Sequence, residues 1–128
     1  MNKKILNFFE IAARTATSKN DRRDFFIGAI GIRGDGVMVK AFNSPSENKN
    51  RCIHAEYRLS KKLDYDAHVY VARVRMDDYE FGMARPCIAC QKTLRTKKVK
   101  KVYYTINKDK FGVINFNDNS EKIYIYPG

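Results

Sequence analysis

The chain has 128 residues, room for one domain spanning 1–128, and its 44% hydrophobic content excludes a disordered polar tail. A net charge of +11 and an isoelectric point of about 9.7 predict attraction to anions such as nucleic acid, mononucleotides or acidic membranes. Its three cysteines, Cys52 and the pair Cys87-x-x-Cys90, argue against a secreted disulfide framework and for metal or redox use in a reducing compartment.

Ile5, Phe8, Phe9, Ile11, Ala12 and Ala13 recur at helical spacing, which predicts an amphipathic helix over 3–18. Glu10 and Arg14 interrupt its apolar character, so it reads as the first helix of a soluble, cytoplasmic protein and not as a leader or membrane span. Residues 25–33 read as a buried strand, Gly34-Asp35-Gly36 as a turn, and 37–43 as the returning strand of a hairpin. A loop over 44–50 leads to a helix over 54–63. The segment 67–76 has the strongest strand character in the chain. After a loop over 77–86, a helix opened by Pro86 is expected over 87–96. Strands follow over 99–106, 111–116 and 123–126. Helices alternating with strands imply a sheet covered by helices.

Two short motifs carry the chemistry: His54-Ala55-Glu56 and Pro86-Cys87-Ile88-Ala89-Cys90. Imidazole nitrogen and thiolate sulfur are the donors zinc prefers, and three protein ligands leave a fourth position for water. Cys87 and Cys90, three apart, share one face of a helix, and a helix N-terminus favours their thiolate forms. Zinc makes water acidic enough to react near neutral pH. Glu56 is then placed to accept a proton from that water. Together the motifs resemble the signature of zinc nucleobase deaminases, and that resemblance implies that Glu56 passes the proton to a ring nitrogen, N3 of cytosine or N1 of adenine, and later helps protonate the departing amine. Either motif alone is common. Their combination and order point to a catalytic zinc site with His54, Cys87 and Cys90 as ligands.

With these motifs the chain resembles the cytidine deaminase-like superfamily, from the first helix through Tyr104. The stretch from Ala84 to Cys90, followed by Val102-Tyr103-Tyr104-Thr105, looks like the small deaminases of bacteria and their phages. The resemblance implies a three-layer α/β/α sandwich with a mixed sheet of about five strands, and Zn2+ as cofactor. It also implies a sugar contact from Asn43 and further substrate contacts from Ala55, Arg85 and Pro86. Members often form homo-oligomers. Branches of the superfamily differ in how the fourth and fifth strands run. Only Asn107-Lys108-Asp109-Lys110 separates 99–106 from 111–116, which predicts an antiparallel hairpin. That departs from the parallel branch, which holds the tRNA adenosine deaminases, deoxycytidylate deaminases and APOBEC proteins. The alternative is that 123–126 is the true fifth strand, reached by a helix-free crossover. Free-nucleoside enzymes usually carry Cys where this chain has His54, so the resemblance gives the chemistry better than the substrate.

The leading expectation is deamination of cytosine to uracil in a (deoxy)cytidine nucleoside or nucleotide, with no membrane partner. The alternatives are an editor or toxin-like enzyme acting on single-stranded DNA or RNA, adenosine deamination, and a non-catalytic zinc-binding module. Cys52 reads as a half-buried thiol and His68 as a structural residue. The run Arg95, Lys97, Lys98, Lys100 and Lys101 reads as a solvated helix end, with a phosphate-tracking patch as the sharper alternative. Arg73, Arg75 and Arg85 are candidates for the mouth of the site. Phe81, Tyr103 and Tyr104 are candidates for base stacking or for strand packing.

Overall fold

The computed structural model describes residues 3–17, 25–42, 59–63, 66–75 and 80–126. The elements run α1 (Lys3–Thr17), β1 (Phe25–Ile32), β2 (Met38–Phe42), β3 (His68–Arg75), β4 (Phe81–Gly82), α2 (Ile88–Thr96), β5 (Lys101–Thr105), β6 (Lys110–Asn115) and β7 (Ser120–Ile125). The strands form one mixed sheet in the order β2-β1-β3-β5-β6-β7, with β4 paired to β3 beside that path. Only β3 and β5 are parallel; the other pairs are antiparallel.

The sheet has seven strands where about five were expected. Along the chain the strand not expected is β4; β7 falls on the strand expected over 123–126 and starts three residues earlier. β4 is two residues long and carries no periodicity of its own. β7 starts on the polar Ser120-Glu121-Lys122 and is an edge strand, whose open side chains need not alternate. The expected hairpin between 99–106 and 111–116 is present as β5–β6, with Tyr104 opposite Gly112. Residues 110–115 are therefore a strand, and the helix-free crossover is excluded.

Side chains alternate between two packed faces, as strand geometry requires. On one face Ala29, Val69, Val71, Val102, Tyr104 and Ile114 pack with Leu59, Leu63 and Leu94 of α2. On the other, Ile30, Tyr70, Ala72 and Phe111 pack with Phe9 and Ala12 of α1. Helical residues thus cover both faces of the sheet, the expected layering. Of the expected helix over 54–63, Leu59 and Ser60 are helical and Lys61 and Lys62 form a turn before Leu63; residues 54–58 lie outside the described residues.

The first hairpin turns as its Gly-Asp-Gly signal requires. Gly36 sits at φ +89, a conformation other residues adopt poorly. The Asp35 carboxylate accepts from the Val37 N–H at 3.0 Å, and the Arg33 N–H donates to the Val37 carbonyl at 2.9 Å.

Gly112 is required for a different reason. A Cβ built there would lie 2.2 Å from Cζ of Tyr104, whose ring crosses β6 at 2% exposure. Gly112→Ala should cost about 1–3 kcal/mol in denaturant unfolding, as an overpacked core does. The same change in a Tyr104→Ala background should cost clearly less. Equal costs in the two backgrounds would mean the ring is not the obstacle.

Candidate active site

The parallel pairing of β3 with β5 forces a crossover, and α2 provides it. α2 therefore starts near the carboxyl end of β3 and returns across the sheet. Cys87 is its N-cap, with extended backbone at φ −68 and ψ 166, and its carbonyl accepts the first helical bond from the Gln91 N–H at 2.9 Å. Helix and cap differ slightly from expectation. Pro86 lies outside the helix, buried, and its carbonyl accepts from Gln91 Nε2 at 2.9 Å. Cys87 is exposed and Cys90, one turn on, is 4% exposed. No acidic side chain occupies the first turn of α2, so the positive end of its dipole acts on both thiols.

The approach to Cys87 is fixed from two sides. Fully buried Thr105, at the end of β5, donates from Oγ1 to the Gly82 carbonyl at 2.7 Å and accepts from the Arg73 N–H at 3.2 Å. Its own carbonyl accepts from the Ala84 N–H at 2.9 Å. On the other side, Arg85 makes a two-pronged ion pair with Glu121 of β7, Nε to Oε2 at 2.8 Å and Nη2 to Oε1 at 2.9 Å. The Tyr104 hydroxyl donates to the same carboxylate. The bond from Arg85 holds the Glu121 carboxyl below its ordinary range. Burial, then Glu121, pushes Tyr104 up to about 12, so it stays a neutral donor.

These contacts engage several of the candidate residues. Arg85, expected at the substrate, has its guanidinium engaged by Glu121 two residues before Cys87. Tyr104 is buried beneath that pair and packs rather than stacks on a base. Phe81 and Tyr103 lie on the α1 face, Phe81 against Phe9 and Tyr103 stacked on Tyr70 at 4.5 Å. They are therefore on the opposite side of the sheet from α2. Arg73 reaches the Met83 carbonyl. His68 opens β3 and is at the far end of that strand from the cysteine turn. His54, Ala55, Glu56, Asn43 and Cys52 lie outside the described residues, as does the side chain of Arg75. Thr105 and Glu121 escaped the sequence reading because their partners are 23 and 36 residues distant and no local pattern marks them.

A model of the family described as the cytidine and deoxycytidylate deaminase zinc-binding region matches residues 2–106. The tRNA-specific adenosine deaminase of Aquifex aeolicus (strain VF5) is 26% identical over 117 residues, covering 84% of this chain and 70% of that protein. Zinc is the cofactor of the matched region, and the donors at the start of α2 suit it: two sulfurs one turn apart at a helix N-terminus. Among the described residues no group of three or more metal-binding side chains is gathered, since the expected third ligand lies outside them.

Glu121 gives a pH-dependent test. Its folded pKa is depressed, so the stabilisation it contributes is complete above the ordinary value of 4.5 and is lost as pH falls through the depressed value. Glu121→Gln should therefore melt below the wild type at pH 7, by an amount worth at most about 1 kcal/mol for so exposed a pair. The gap should narrow on acidification to pH 3. A gap that stays constant across that range would show the carboxylate charge to be irrelevant. Thr105→Val, nearly the same shape, should cost about 1–3 kcal/mol in unfolding by removing the buried hydroxyl that bonds both the Gly82 carbonyl and the Arg73 N–H.

Proposed function

This chain belongs to the family of cytidine and deoxycytidylate deaminases with a zinc-binding region, and from that membership we propose that it hydrolyses cytosine to uracil in a (deoxy)cytidine nucleoside or nucleotide, releasing ammonia. Zinc, when bound, supplies the Lewis acid that makes water reactive near neutral pH. His54, Cys87 and Cys90 hold it. Glu56 accepts a proton from water and delivers it to N3 of the ring, then takes the proton of the hydroxyl added at C4 and passes it to the departing amine, which leaves as ammonia. Pro86 and the backbone at Ala55 flank the base, and Asn43 contacts the sugar. Arg85 acts on the substrate through the shape of the turn that Glu121 holds. The reaction belongs in the cytoplasm, with one domain spanning the chain; no helix among the described residues is long and apolar enough to cross a membrane.

The observation that carries the cytosine reading is the antiparallel β5–β6 hairpin. By the resemblance, the branch with a parallel connection holds the tRNA adenosine deaminases and also the deoxycytidylate deaminases, so within the cytosine reading the hairpin favours the nucleoside over deoxycytidylate. A second reading, adenosine in RNA, is favoured by the Aquifex aeolicus relative and by the net charge of +11.

One panel separates them. Zinc-loaded protein is incubated with cytidine, deoxycytidine, their monophosphates, single-stranded DNA, RNA and adenosine-containing RNA, and products are read by mass spectrometry. Uridine-type product from the small substrates is expected, reduced about 10²–10⁴-fold in Glu56→Ala. Inosine in RNA, with the small substrates untouched, would replace the cytosine reading by the second one. Cys87→Ser and Cys90→Ser should each lower bound zinc as well as activity; full zinc content in both would remove them from the ligand set.

A further inference from the structure

A second concave site lies away from the cysteine turn. A groove of about 420 Å³ opens where α1 begins, β1 ends and β3 starts. The Cys87 turn follows the other end of β3, about 23 Å away along an eight-residue strand. Aromatic rings line the groove: Tyr70, 5% exposed, stacks on Tyr103 and meets the Phe8 ring at 4.7 Å. Around them stand Lys4 from the first turn of α1, Arg33 after β1, His68 at the start of β3, and Lys100 just before β5. These four residues are far apart in sequence and converge only through the fold.

Cations outnumber carboxylates in the groove. Its lining holds three cations, Lys4, Arg33 and Lys100, and one carboxylate, Asp66. Arg33 also meets Asp35 at 3.2 Å, an exposed pair that neutralises it only in part. Half-buried Lys101 adds a further positive charge near His68. Burial lowers the His68 pKa first, and Lys101 and Lys100 lower it further, against the opposite pull of Asp66. The imidazole therefore experiences a cationic surplus. α1 has no acidic residue in its first turn, so its positive end is not offset by a side chain there. Clustered cations over a low-dielectric aromatic surface form an environment suited to a multiply charged anion.

We propose that this groove is a phosphate-binding site, separate from the deaminase centre, in which Lys4, Arg33 and Lys100 hold the phosphate oxygens. Phe8 and Tyr70 cover an organic group attached to that phosphate. The shared chemistry is a phosphate dianion, free or as the monoester of a flat ring.

Calorimetric titration of the zinc-loaded protein at low ionic strength tests this, with inorganic phosphate, phenyl phosphate and phenol as probes. Phenyl phosphate has no exocyclic amine, so it is not a deaminase substrate. Both phosphates should bind. Lys4→Gln and Lys100→Gln should each weaken them on the order of tenfold, the effect of losing one charge-assisted bond. Lys108→Gln, in the exposed β5–β6 turn, should change nothing. Tighter binding of phenyl phosphate identifies a ring-bearing monoester as the occupant, and equal binding identifies free phosphate; either supports the site. Three outcomes overturn it: no phosphate binding, equal affinity in the wild type and both groove variants, or phenol binding as tightly as phenyl phosphate. Melting curves of the variants, each changed at an exposed lysine, establish that they are folded.

Discussion

The cysteine end of the molecule depends on β3 lying parallel to β5. Parallel neighbours cannot be joined by a tight turn, because the chain must first return to the starting end of the sheet. α2 makes that return, and its N-terminus is therefore delivered to the carboxyl end of β3. In open sheets with parallel strands, ligands gather at that end. The Cys-x-x-Cys spacing works only because of this placement. The same two residues in the middle of a helix would lack both the helix dipole and the exposed approach that Cys87 has at the N-cap.

Much of this architecture is legible in local pattern. The centre of β3, Val69 to Ala72, is buried on both faces because the strand is covered by α1 on one side and α2 on the other. Gly34-Asp35-Gly36 announces its hairpin through the one residue that can adopt φ +89. The four-residue link after β5 announces the second hairpin by being too short for anything else. Illegible features are those made by partners distant in the chain. β4 is two residues long, and Glu121 is an ordinary strand carboxylate until the fold brings Arg85 to it. Tyr104 shows the same limit: strand alternation places it inward, but no pattern reveals that its hydroxyl meets an ion pair. The metal motif is the reverse case, since His54 and Glu56 are read from the sequence alone.

The distribution of charge is more informative than its total. Lys97, Lys98 and Lys100 follow the C-terminus of α2, where cations suit the negative end of the helix dipole. Lys98 adopts φ +58 and its N–H returns to the Arg95 carbonyl at 2.9 Å, closing the helix as a glycine often does. Arg95 lies over the Phe116 ring at 4.4 Å and reaches Asn119. Part of the basic run is thus occupied in ending one helix and docking it on the β6–β7 turn. Lys100 and Lys101 lie past that helix end, at the start of β5 near His68, and their charges are felt across the sheet end.

Glu121 is 36 residues downstream of the arginine it holds, beyond the segment shared with the deaminase family. During synthesis the chain emerges in order, so β3, α2 and both cysteines are complete before β7 exists. The turn ahead of Cys87 then rests on Thr105, Arg73 and Gln91 until the last strand is added. A nascent chain therefore carries both sulfurs before the Arg85–Glu121 pair that braces their turn can form.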